Sequence, residues 1–251
     1  MHRSCLAAGC LFIWTAFVPS PGDEGFWVGA FSDEQPGVQT PRGWRPLAAN
    51  GVDRATKYRL VEEDGAVVLQ AVSRAGASSL IRKVDVDPAR HPVLTWRWRV
   101  DGVLEHGDAR RKRGDDFPAR IYVIFDHDPS ELGFRDRLKY RALKALGYEH
   151  IPTRALNYIW ANKAPRGRFL RSPYTDWVQM LPLQSGGAHA GQWRHERRNV
   201  YADYVTAFGE PPPRIAAIAV MTDTDNTGES ATAYYGDLVL RREESPVVSS
   251  R

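Results

Sequence analysis

The side chains of this sequence best suited to chemistry are carboxylates and arginines. Asp223-Thr224-Asp225-Asn226-Thr227-Gly228 sets alternating acidic and amide side chains ahead of a glycine. Several hard oxygens around a small volume are what a calcium ion requires. Asp223, Asp225 and Asn226 are therefore the candidate metal ligands, and calcium is the one cofactor the sequence admits. The run departs from a helix–loop–helix calcium site, because Tyr234 stands where the bidentate glutamate belongs. An Asx-rich turn bonded to its own backbone accounts for the same residues without metal.

A second set lies on two alternating segments. Leu94, Trp96, Trp98 and Val100 interleave with Thr95, Arg97 and Arg99, and Ala119, Ile121, Val123 and Phe125 with Arg120 and Tyr122. Period two sends the apolar members of each to a core and Arg97, Arg99, Arg120 and Tyr122 to the other face. Asp116 shares the parity of Arg120. Asp237 falls inside the last strand-like segment, where a charge needs a partner. A guanidinium matches a carboxylate in bidentate fashion, so Asp116, Asp237 and Asp223 are expected to pair with these arginines. The result is either a structural ion-pair network or a cleft that grips ligand hydroxyls or an acidic group. A third set is aromatic: Tyr158, Trp160, Tyr174 and Trp177. Exposed, they would stack on sugar rings; otherwise they are core. With Arg198, the candidate ligand-binding residues are Arg97, Arg99, Asp116, Arg120, Tyr122, Tyr158, Trp160, Arg198 and Asp237.

Support for catalysis is thin. There is no Gly-x-Ser-x-Gly elbow, no His-Glu-x-x-His and no phosphate-cradling loop. Asp115 and Asp116 are adjacent, so on a strand they would point to opposite faces and form no acid/base pair. The residues favour a non-catalytic glycan- or small-ligand-binding module. A structural or partner-binding envelope protein, and a polysaccharide-active enzyme using paired carboxylates, stay open.

The elements that must position these residues read as strands. Thr56–Glu62 and Ala66–Ser73 flank Glu63-Asp64-Gly65, a hairpin signal. Further strands are expected at Ser78–Val86, Pro92–Val100, Ala119–Phe125, Ala155–Ala161, Asp176–Leu183, Trp193–Val200, Ile215–Thr222 and Ala231–Leu240. Leu138, Ala142 and Leu146 recur at helical spacing within Ser130–Leu146, between a capping Ser130 and a terminating Gly147. This predicts one amphipathic helix inserted into an all-β fold, with a short helical segment at Tyr201–Phe208. About eleven strands with short turns point to a single β-sandwich domain.

Length and composition bound the reading. The chain has 251 residues and a formal net charge of +4, enough length to bury a core unaided. The basic run Arg110-Arg111-Lys112-Arg113 reads as a solvated loop, and nucleic acid is not an expected partner. Residues 1–22 read as a signal peptide: a basic start at His2 and Arg3, an apolar run over Cys5–Val18, and Ser20-Pro21-Gly22 as a cleavage site. Both cysteines fall within it, so the mature chain would lack disulfides and thiol ligands. Residues 23–240 form the expected domain and 241–251 a disordered polar tail. The mature chain has no membrane-spanning segment and is expected in the periplasm or outside the cell; its oligomeric state is open.

Four segments carry a family resemblance. They are Leu94-Thr95-Trp96-Arg97-Trp98-Arg99-Val100; Asp115-Asp116-Phe117-Pro118-Ala119-Arg120-Ile121-Tyr122-Val123; Glu196-Arg197-Arg198-Asn199-Val200 with Asp203-Tyr204; and Thr222-Asp223-Thr224-Asp225-Asn226-Thr227-Gly228 with Tyr235-Gly236-Asp237. Together they resemble a bacterial exported family known as domain of unknown function number 3047, over most of the chain after Gly25. That resemblance implies no established activity. The strand order more distantly resembles galactose-binding-like jelly rolls of carbohydrate-binding modules, through Gly191-Gln192-Trp193 and Tyr235-Gly236-Asp237-Leu238-Val239-Leu240. This implies a jelly-roll sandwich and a glycan as ligand.

Overall fold

The computed structural model describes residues 25–131, 133, 134, 137, 138, 140, 141 and 153–243. The expected signal peptide, most of the helix expected at Ser130–Leu146, and nearly all of the expected tail lie outside them. Arg241, assigned to that tail, closes a strand. Among the described residues, no helix is long and apolar enough to cross a membrane.

Among the described residues, fourteen strands form two seven-stranded sheets. The first holds β1 (Phe26–Gly29), β3 (Lys57–Glu63), β4 (Ala66–Arg74), β6 (Val93–Val100), β11 (Arg194–Asn199), β13 (Ser230–Tyr235) and β14 (Leu238–Arg241). The second runs in the order β2 (Arg45–Ala48), β5 (Ala77–Val86), β12 (Ile215–Asp223), β7 (Ala119–Phe125), β8 (Ala155–Ala161), β10 (Val178–Ser185) and β9 (Leu170–Arg171). The hairpin β3–β4 turns on Asp64 and Gly65, both at positive φ (51° and 75°). Such two-residue turns match the right-handed twist of the strands they join. Pairing is antiparallel except between β8 and β10, which run parallel.

β6 organises the first sheet. One edge pairs with β11 over its full length. The other pairs with β13 and then β14 in series. The last expected strand, Ala231–Leu240, is thus two, broken at Gly236-Asp237. A side chain at Gly236 would put its Cβ 2.5 Å from Cγ of Arg97, so a glycine is needed for that arginine to cross the break.

The sheets pack through their aromatic inner faces. Trp96 lies 5.4 Å from Tyr158 and Trp98 lies 6.1 Å from Trp160, centroid to centroid. Ile121, Val123, Ile218 and Val220 fill the layer beside them. Tyr201–Phe208 is helical, as expected: α1 spans Val200–Phe208, capped by the Asn199 side chain and ended by Gly209 at φ 78°. A smaller apolar cluster lies on the outer face of the second sheet. It joins Ile81, Ala217 and Ala219 with Leu47, Tyr122 and Ile124.

Candidate functional site

That outer apolar cluster is the floor of a groove. Alternation along each strand sets it: the odd residues of β7 enter the core, so Tyr122 and Ile124 face outward. Ala217, Ala219 and Met221 of β12 do the same. Small side chains there keep the floor low. Two adjoining cavities of about 780 and 680 Å³ share Leu47, Asp115, Tyr122, Tyr174 and Met221, and so form one continuous depression. Its far end is of mixed charge, lined by Arg45, Lys83, Asp85, Asp126, His127 and Arg214. Its near end is acidic, with Asp115, Asp223, Asp225 and Asn226 around Arg120.

The acidic end is assembled from two chain segments. Asp115 follows a short 3-10 turn, Lys112–Gly114, with φ −78° and ψ 48°. Its backbone is not extended, so strand parity does not fix where Asp115 points; Asp115 lines the groove, while Asp116 turns to Asn226 and Thr227. Asp223 ends β12, beside the start of β7, where Met221 is in register with Arg120. The Arg120 guanidinium forms a bidentate pair with Asp223: Nε donates at 2.8 Å, and Nη2 completes the pair. Nη2 also donates to the Asp115 carbonyl at 2.9 Å and Nη1 to the Tyr122 hydroxyl at 3.0 Å. The Phe117 N–H donates to Asp223 at 3.2 Å.

Asp116 holds the acidic loop. It accepts from the backbone N–H and side-chain amide of Asn226, at 3.3 and 3.0 Å, and from the N–H and hydroxyl of Thr227, at 2.6 and 2.8 Å. The Tyr174 hydroxyl donates to Asn226 Oδ1 at 2.8 Å and closes the wall. One oxygen from each of Asp116, Asp223 and Asp225 lies within 4.8 Å of the others. Burial pushes the Asp115 carboxyl up to about 6; Asp116 and Asp225 add to the rise and Arg120 opposes it. Asp225 is raised by burial and by Asp116. Burial also raises the Tyr122 hydroxyl, against the pull of Arg120.

The sequence over residues 42–239 is decisive for kinship. A family model described as "Protein of unknown function (DUF3047)" matches residues 42–239. The chain belongs to this family. No curated protein matches it in sequence. Among solved structures, a β-1,2-glucanase from Parabacteroides distasonis aligns at TM-score 0.42 and 11% identity, over 91% of this chain and 26% of that one. A family 12 xyloglucanase from Bacillus licheniformis aligns at 0.44 and 7%, over 87% and 99%. An endoglucanase from Rhodothermus marinus aligns at 0.39 and 10%, over 79% and 96%. The chain spans about a quarter of the glucanase's length. The fold is an all-β sandwich of two sheets.

Of the expected site residues, Asp116, Arg120, Tyr122, Asp223, Asp225 and Asn226 come together in this family member; the others do not. Arg97 and Arg99 lie on the outer face of the first sheet, across the sandwich from Arg120. There Arg97 stacks on Trp193 at 4.5 Å, and Arg99 lies over Tyr234 at 4.2 Å and pairs with Glu63 at 2.7 Å. Among the described residues Asp237 pairs with no arginine; it accepts from the N–H and hydroxyl of Ser32 in the break between β13 and β14. Tyr158 and Trp160 are 0% exposed, sealed between the sheets. Arg198 pairs with Asp203, which also accepts from the Tyr158 hydroxyl. The expected arginine pairing of Asp116 is corrected too, since Asn226 and Thr227 take its oxygens. Asp115 was missed, and the signal for it was Gly114 before it and Pro118 after it, which forbid a continuous strand.

Proposed function

We propose that this chain is an exported, non-catalytic module that binds a glycan in the groove on the outer face of its second sheet. One observation carries the reading: an open depression with an apolar floor ends in buried, oriented polar groups. Sites for small organic ligands have this composition, with apolar walls for contact and a few fixed donors and acceptors for orientation. Tyr174 is 47% exposed at the wall, with the Lys112 ammonium 5.3 Å from its ring centre, and the exposed part of the ring can contact a sugar. The test is titration calorimetry of the full chain against neutral gluco-, xylo- and N-acetylglucosamine oligosaccharides. Binding that Tyr174→Ala weakens about tenfold, the contribution of one ring contact, supports the reading. Absence of binding across the panel, and by a glucosamine oligomer as well, overturns it.

A second reading draws on Asp115 and Asp225, two carboxyls with raised affinity for protons on one groove. Paired carboxylates hydrolyse glycosidic bonds. Release of reducing ends from any of these oligosaccharides, lost in Asp115→Asn, would favour an enzyme over a binding module.

A further inference from the structure

Asp115, Asp116, Asp223 and Asp225 meet at the near end of the groove, and among the described residues only the Arg120 guanidinium is ion-paired with them. Their oxygens are unequally supplied with donors. Asp116 has four and Asp223 has Arg120 and the Phe117 N–H. Asp115 is different. It is 6% exposed, and among the described residues no donor reaches its buried Oδ1. Its other oxygen has Arg120 at 3.8 Å. Asp225 is half-buried, with a 3.4 Å contact to the Asn226 amide. Both line the cavity. A buried acceptor without a donor costs free energy that an incoming N–H would offset.

We infer that this end of the groove recognises a positively charged group, the ammonium of an amino sugar, between Asp115 and Asp225. The inference rests on the glycan-binding reading of the same groove. Donor supply selects an ammonium over a metal ion. Calcium takes about 6–8 oxygens, and those of Asp116 and Asp223 are already bonded to internal donors. The ammonium brings three N–H donors and one charge, which suits two carboxylates. The same carboxylates repel a uronic acid. The protein's net charge of +4 gives a cationic sugar no general attraction, so any preference for one is local.

The experiment compares three probes with the full chain by calorimetry at about neutral pH: a glucosamine hexamer, an N-acetylglucosamine hexamer and cellohexaose. The glucosamine hexamer should bind about tenfold more tightly than the other two, the scale of one charge-assisted hydrogen-bonded contact. Asp225→Asn, on a half-buried loop, and Asp115→Asn should each remove most of that advantage. Equal or weaker binding of the glucosamine hexamer overturns the inference and leaves a groove for neutral glycans. If none of the three binds, the glycan reading falls with it. Calcium chloride that raises the melting temperature, reversed by chelator, would put a metal ion between these carboxylates and overturn the inference as well.

Discussion

At the scale of single residues, Asp115 stands out because its charge works against the fold. A carboxyl pushed up to about 6 holds its proton more tightly in the folded chain than in the unfolded one. The groups facing it are Asp116, Arg120, Tyr122, Tyr174 and Asp225, and Arg120 alone favours its ionised form. Stability from this group therefore falls as pH rises from about 4 to about 6, and the full deficit is present above that window. Asp115→Asn keeps the shape and removes the charge. It should stabilise the chain by about 2–3 kcal/mol near pH 7, with most of the gain gone near pH 4. Urea denaturation of both proteins at the two pH values measures this. A variant less stable at neutral pH would mean that the ion pair with Arg120 outweighs burial. A residue that weakens the fold yet faces an open groove fits a functional role better than a structural one.

At the scale of elements, Arg120 and Asp223 tie the start of β7 to the end of β12. Both are almost wholly buried, so removing one partner strands the other's charge. Arg120→Ala should cost about 3–5 kcal/mol, whereas the double change Arg120→Met with Asp223→Leu should recover most of it, by thermal or denaturant unfolding. Loss no larger than about 1 kcal/mol in the single variant would show the pair to be solvated and weak. This is also the scale at which the sequence was most readable. β6, β7, β12 and the β3–β4 hairpin were legible because each has a clean apolar face or a turn that only Asp-Gly satisfies. β1, β2 and β9, of two to four residues, carry too few alternations to register. Parity told which side of its own strand Arg97 or Arg120 occupies. It could not tell that β6 and β7 belong to different sheets, which puts the two arginines on opposite outer surfaces. Pairing of Arg120 with Asp223 followed from charge and burial alone, while the placement of Asp115 on the groove depended on a local backbone turn that strand parity does not describe.

At the scale of the whole molecule, the sandwich separates what holds it together from what faces a ligand. The inner layer is held by Trp98 against Trp160 and Trp96 against Tyr158, all contributed by strands that span both sheets' centres. The groove uses the face opposite the core: Ala119 and Trp160 point inward at one register position, and Arg120 at the next lines the groove. Burial of a tryptophan this complete leaves a cavity that the surrounding strands cannot fill when it is truncated. Trp160→Ala should therefore cost about 3–5 kcal/mol of stability. Its effect on ligand affinity should be small, within about twofold when measured well below the lowered melting temperature, because no atom of Trp160 lines the groove. Tyr174→Ala should do the reverse, lowering affinity while costing little stability at its exposed position. If Trp160→Ala instead abolished binding with the fold intact by circular dichroism, the ligand site would have to be sought between the sheets rather than on the outer face of the second.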